Sequence, residues 1–142
     1  MAGYSDVKST FISDTVAADP NGYSTSAAVG NNAALTIGGA LASGGSVTNS
    51  SGRLTVIVSA GDDSGISFTV VGTDVTGAAM TETITGANAD TATGSKYFKT
   101  ITSITAVGDP DGNVEAGHSA DAADVVFAGP TRLKGSNMVN DA

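Results

Sequence analysis

Between Arg53 and Thr85 the chain alternates side-chain types with a period of two, and this alternation constrains its folding more than any other feature. Leu54, Val56 and Val58 interleave with Thr55, Ile57 and Ser59, then Ile66, Phe68 and Val70 with Ser67, Thr69 and Val71. Met80-Thr81-Glu82-Thr83-Ile84-Thr85 follows the same rhythm. Successive side chains of a strand point to opposite faces, so each stretch reads as a strand with one face on a core. Branched Thr, Val and Ile are stiff at χ1 and favour a pleated surface over a helix. The interruptions are turn clusters, Gly61-Asp62-Asp63-Ser64-Gly65 and Gly72-Thr73-Asp74-Val75-Thr76-Gly77. The first of them predicts a hairpin between strands 54–59 and 66–71.

Further strand signals lie on both sides. Residues 96–107 predict one long strand or two separated by a bend, Asp109-Pro110-Asp111-Gly112 a turn, and residues 124–128 a last strand before Gly129-Pro130. Residues 33–48 carry the pairs Gly38-Gly39 and Gly44-Gly45. Each glycine would cost a helix interior about 0.8–1 kcal/mol, so strand and loop are expected there. Residues 1–32 are polar and small, with a turn signal at Asp19-Pro20-Asn21-Gly22, and read as an extended N-terminal arm. The expected organisation is therefore an arm (1–32), a β domain (33–128) and a polar C-terminal tail (129–142). Six or seven short strands at this spacing predict an all-β, antiparallel β-sandwich, with a small barrel as the alternative. Its core is expected to hold Leu54, Val56, Val58, Phe68, Val70, Ile84, Phe98, Ile104 and Phe127.

Composition bears on chemistry. Gly, Ala, Ser and Thr make up over half of the 142 residues, Cys is absent, and His118 is the sole histidine. A thiolate nucleophile, a disulfide framework and Cys-ligated metal sites are excluded. Most hydrolase chemistries lack their usual parts, so a non-enzymatic role is expected, with no catalytic, cofactor-binding or metal-ligating residue assigned and no cofactor required. The net charge of -8 is spread without acidic runs and reads as a solvated surface. Lys8, Arg53, Lys96, Lys99, Arg132 and Lys134 are too dispersed for a phosphate-binding stripe, so no nucleic-acid partner is expected. No apolar run has the roughly 20 residues of a bilayer-spanning helix, and residues 1–6 lack the pattern of a signal peptide, so the expectation is a protein made in a cytoplasm with no membrane partner.

Several constellations invite chemical readings. Asp63-Ser64-Gly65 has the look of a serine-protease nucleophile loop, but Ile66 stands where a glycine belongs and His118 follows the serine; a turn with Asp side chains capping backbone N–H groups is expected. Asp109, Asp111, Asn113 and Glu115 alternate like the donors of some calcium loops, yet Gly112 is at the fourth position and Ala120 occupies the twelfth, so a polar turn is expected. His118, among Gly117, Ser119 and Ala120, is expected to be solvated in a loop. Glu82 and Glu115 are the only glutamates, and the chain has no Trp to stack on a saccharide. Of Tyr97 and Phe98, one ring is expected in the core and one on the surface, where Lys96 and Lys99 flank Tyr97.

The set Arg53-Leu54-Thr55-Val56, Gly61 to Asp74, Thr81-Glu82-Thr83-Ile84-Thr85-Gly86 and Lys96 to Ile104 resembles small structural proteins of tailed-bacteriophage virions, over about residues 33–117. That resemblance, which includes capsid decoration or cement proteins, implies an immunoglobulin-like or related β-sandwich without catalysis. It implies the outer capsid surface of the virion as location. The implied partners are the major capsid protein and further copies of the chain itself, a homo-oligomer of which a trimer is one form. A tail or head-to-tail connector component, or a host-glycan-binding β-sandwich module, are the alternatives.

Overall fold

The computed structural model describes residues 17–122. Residues 1–16 of the expected arm, strand 124–128 with Phe127, and the tail 129–142 lie outside the described residues. Seven strands follow in order: β1 (Asp19–Ala28), β2 (Ala42–Ser43), β3 (Ser46–Ser59), β4 (Ser67–Thr73), β5 (Ala79–Thr85), β6 (Thr91–Val107) and β7 (Asn113–Ala122). Every pairing is antiparallel. The spatial order is β1-β7-β3-β6-β4-β5, with β2 on β3. The all-β antiparallel class expected from the sequence is the one the chain adopts, and the single sheet curls until it is nearly closed, like a barrel.

That curvature comes from β6. Its 17 residues would span nearly 60 Å at about 3.4 Å per residue, which no small body can hold straight. The strand instead changes partners. Residues 91–101 pair with β3, whereas residues 100–107 pair with β4 on the other side. Beyond the change, the side vacated by β3 is taken by residues 33–35: Leu35 N–H donates to the Ile104 carbonyl at 2.8 Å and Ala106 N–H to the Ala33 carbonyl at 2.9 Å. Beside the change the β4–β6 register shifts between Val71 and Gly72, which pair with Ser103 and Ile101 and leave Thr102 as the extra residue on β6. A Cβ on Gly72 would collide with the Thr100 carbonyl oxygen, so only glycine fits there.

The hairpin expected between strands 54–59 and 66–71 does not form. β6 stands between β3 and β4 and pairs with both. The turn itself is as expected: Asp62 Oδ1 accepts from Ser64 N–H at 3.1 Å and from Ser64 Oγ at 2.7 Å, which holds its carboxyl below the ordinary carboxylate range. However, β6 and β7 already occupy the two sides of β3, leaving no edge to which β4 could add. The β4–β5 hairpin does form. In its turn Asp74 Oδ1 accepts from Thr76 Oγ1 at 2.7 Å, Thr76 N–H at 2.8 Å and Ala78 N–H at 3.0 Å.

The arm boundary also moves. Residues 19–28 are β1, an edge strand hydrogen-bonded to β7, so at least this part of 1–32 belongs to the sheet. The Asp19-Pro20-Asn21-Gly22 signal is a bulge and not a chain reversal: three more residues separate Asp19 from Ser24 than the register with His118 and Ala116 accommodates. The bulge docks the following loop, with Gly38 and Gly39 N–H donating to the Tyr23 carbonyl and Leu41 N–H to that of Gly22.

The core gathers Tyr23, Leu35, Val47, Ile57, Phe68, Val70, Ile84, Phe98, Ile101, Ile104, Ala106, Val114 and Ala116. Phe68, Val70, Ile84, Phe98 and Ile104 are where the alternation put them. In β3 the phase is reversed. Ile57 enters the core cluster, so its neighbours Val56 and Val58 point to the opposite face; Val56 is buried there, while Val58 and Leu54 are half-buried. Residues 54–58 are strong strand formers on both faces, so the pattern alone does not choose a side. Replacing Gly72 by Ala should destabilise the protein by about 2–3 kcal/mol in urea unfolding, because the added methyl must push the β4 and β6 backbones apart. A loss below 1 kcal/mol would mean that the strands give way easily.

Candidate functional site

The interior contains polar groups that the sequence placed elsewhere. His118 is not a solvated loop residue: it lies on β7, 2% exposed, with Asp19 and Thr55 as its cross-strand partners. Its Nδ1–H donates to the Ser119 carbonyl at 2.7 Å. The ring lies against Tyr23, with centroids 5.9 Å apart and planes tilted by 43°. Gly117 makes this possible, since a Cβ there would strike the Asp19 carbonyl oxygen and displace the bulge that carries Tyr23.

Tyr23 is fully buried, and its hydroxyl oxygen accepts from Asn49 Nδ2 at 2.8 Å. The same amide donates to the Phe98 carbonyl at 3.2 Å, tying β1 through β3 to β6. Arg53 is 3% exposed and donates from Nη1 to the Ala120 carbonyl at 3.2 Å. Burial pushes the Tyr23 phenol up from 10.0 to about 12, against the opposing effects of the Asn49 hydrogen bond and the Arg53 charge; Asp19 adds to the rise.

A second polar group sits at the seam. β5 pairs with β4 but has no backbone ladder to the first half of β6. Glu82, 6% exposed, spans the gap from β5: its Oε1 accepts from Ser95 N–H at 2.5 Å and from Ser95 Oγ at 2.8 Å, and both carboxylate oxygens lie within reach of Lys96 N–H. Lys96 Nζ returns a hydrogen bond to the Thr81 carbonyl at 2.7 Å. The carboxylate thus replaces a missing strand partner for two β6 amides. At one end of the sheet Asp63, fully buried, accepts the Asp111 N–H at 2.7 Å and fixes the 108–112 turn to the 61–65 turn.

The sequence-level candidates separate in space. Glu82 and Glu115 stand on β5 and β7, with three strands between them in the sheet order, Glu82 buried and Glu115 half-buried. Asp109, Asp111 and Asn113 are exposed in and beside a turn, as expected, and among the described residues no three His, Cys, Asp or Glu side chains gather as a metal-holding group. Phe98 is the core ring and Tyr97 the half-buried one. Nothing in residue spacing signals the Tyr23–Asn49–His118 grouping. Its only trace is that Asn113 to Ala122, rich in small and polar residues, becomes a strand because β1 and β3 flank it.

The geometry is that of a brace. Glu82, Asp63, His118 and Arg53 each hold a backbone group of their own or another segment. Comparison with protein-family models, with curated proteins and with solved structures returns no match.

Two measurements probe the brace. The unfolded chain releases the phenolic proton near 10.0 and the folded chain only at about 12, so the stabilisation is complete below pH 10 and is lost as pH rises through that window. The two-unit gap corresponds to about 2–3 kcal/mol, and Tyr23→Phe should flatten the alkaline limb of the stability–pH curve. Glu82→Ala strands the Ser95 and Lys96 amides and should cost about 3 kcal/mol in urea unfolding, with hydrogen exchange accelerating first at residues 95 and 96.

Proposed function

We propose that this protein is a non-enzymatic structural component of a tailed-phage virion that binds the outside of the assembled capsid and stabilises contacts between major capsid proteins. The single observation that carries this reading is the use made of the interior polar groups: Glu82, Asp63, Arg53 and His118 are engaged by backbone, stiffening a small body whose pliable residues have been spent on close packing. A module that must keep its shape under load on a shell benefits from such bracing. The resemblance to virion proteins supports it further, since the segments that carry that resemblance run from Arg53 in β3 to Ile104 in β6. The acidic net charge of -8 fits a surface that stays soluble before it finds its shell.

Binding is to the repeating shell lattice, with residues 1–16 and 129–142 reaching neighbouring subunits. Mass-spectrometric counting of copies in purified particles of the phage that encodes the chain should return on the order of hundreds, matching the repeats of a symmetric shell. A count of a few to dozens would place the protein in the tail or connector instead. Because β1 is an integral strand, the truncation that tests the arm removes residues 1–16 and leaves 17–142. The shortened protein should unfold at an unchanged temperature yet be lost from particles; full occupancy would refute the arm's role.

A further inference from the structure

One face of the sheet is unlike the rest of this acidic chain. On β4, Ser67, Thr69 and Val71 alternate with the buried Phe68 and Val70 and so point outward. Their cross-strand partners on β5 are Thr85, Thr83 and Thr81, and those on β6 are Val107, Thr105 and Ser103. The result is a three-by-three array: Thr85–Ser67–Val107, Thr83–Thr69–Thr105 and Thr81–Val71–Ser103, with Ala34 extending the middle row beside Thr105. Seven of the nine positions carry a hydroxyl and none carries a charge. The one charged residue in these stretches, Glu82, is buried. Among the described residues, two of the three exposed large hydrophobics, Val71 at 37% and Val107 at 52%, lie in this array.

We propose that this hydroxyl-and-methyl face is the surface through which the protein seats on the outer surface of the shell protein; this rests on the functional reading above. Three properties select the occupant. First, interface centres are depleted of charge, and here a chain of net charge -8 keeps these nine positions uncharged. Second, seven of the nine residues are Thr or Val, whose branched side chains have little rotamer freedom to lose on burial, and each hydroxyl both donates and accepts. Third, the array is small. Strand spacing of about 4.8 Å and a same-face repeat of about 6.8 Å give nine positions roughly 300 Å², against about 800 Å² per partner in a stable pairwise interface. Two copies meeting on this face would bury too little to offset the repulsion of their like charges. A shell supplies what the face lacks, because contacts to neighbouring subunits add to a weak seat by raising its effective concentration.

The test uses particles assembled with variant protein. Thr83 is exposed on the edge strand β5, where lysine is well tolerated, so Thr83→Lys should keep the wild-type melting temperature. Copies per particle should nevertheless fall roughly tenfold, whereas Ser26→Lys on the exposed part of β1 should leave the count unchanged. Covalent footprinting adds a readout independent of substitution: Val71 and Val107 should label readily in the free protein and be protected on the particle. Undiminished incorporation of Thr83→Lys with both valines still labelled would overturn the face while leaving the capsid reading intact. Loss of a concentration-dependent dimer in Thr83→Lys, with particle counts unchanged, would assign the face to a second copy and overturn the proposal. Absence of the wild-type chain from purified particles would overturn the functional reading itself, and the docking face with it.

Discussion

The partner exchange in β6 is the constraint on which the rest of the structure depends. A strand of 17 residues lies against β3 for its first part and against β4 for its last, with the crossing confined to Thr100 and Ile101. Because β3 and β4 grip opposite edges of one strand at different heights, the sheet cannot stay flat. It must coil, and the coil brings β5 back over the start of β6. Gly72 permits the tight approach at the crossing, and Thr73 and Thr100 close it with a 2.7 Å hydroxyl contact.

A coiled sheet that stops short of closure leaves backbone groups without a neighbour, and the buried polar side chains answer that need. Glu82 serves the Ser95 and Lys96 amides where β5 fails to pair. Asp63 serves the Asp111 amide where two turns meet. Asn49 reaches both the Tyr23 hydroxyl and the Phe98 carbonyl beneath the β1 bulge. The chemistry of these groups is absorbed in shape, since a buried carboxylate engaged by backbone amides is held in place by the cost of stranding either partner. On the outward side of the same scaffold, β4, β5 and β6 present the threonine-lined face.

Much of this was legible from residue order. The alternation at 66–71 and 80–85, the Asp-capped turn at 61–65, the turn at 72–77 and the burial of Phe98 over Tyr97 were all readable, because each depends on neighbours in sequence. β1 and β7 were not. Asn113 to Ala122 contains one strong strand former, Val114, and becomes a strand only because β1 and β3 flank it with hydrogen-bonding edges. His118 followed from that failure: a residue assigned to a loop has no inside, whereas on β7 it faces Tyr23. The phase of β3 was equally out of reach, since Leu54, Val56, Val58 and Ile57 are all apolar and the choice of face belongs to the partners.

Local chemistry by itself determined the fold class, the turns at 61–65, 72–77 and 109–112 and the two faces of the strands at 66–71 and 80–85, because χ1 stiffness, period-two alternation and Asp and Gly turn preferences act within a few residues. Tertiary structure alone decided which strands are neighbours. Adjacent segments 54–59 and 66–71 are separated by β6, which begins only at Thr91, and the site-forming contacts, Tyr23 with His118, Glu82 with Ser95 and Asp63 with Asp111, follow from that placement. The physical reason is that a strand has two edges and each bonds one partner. Which partner arrives is settled by closing the whole sheet around its core, a condition that no short stretch of sequence contains.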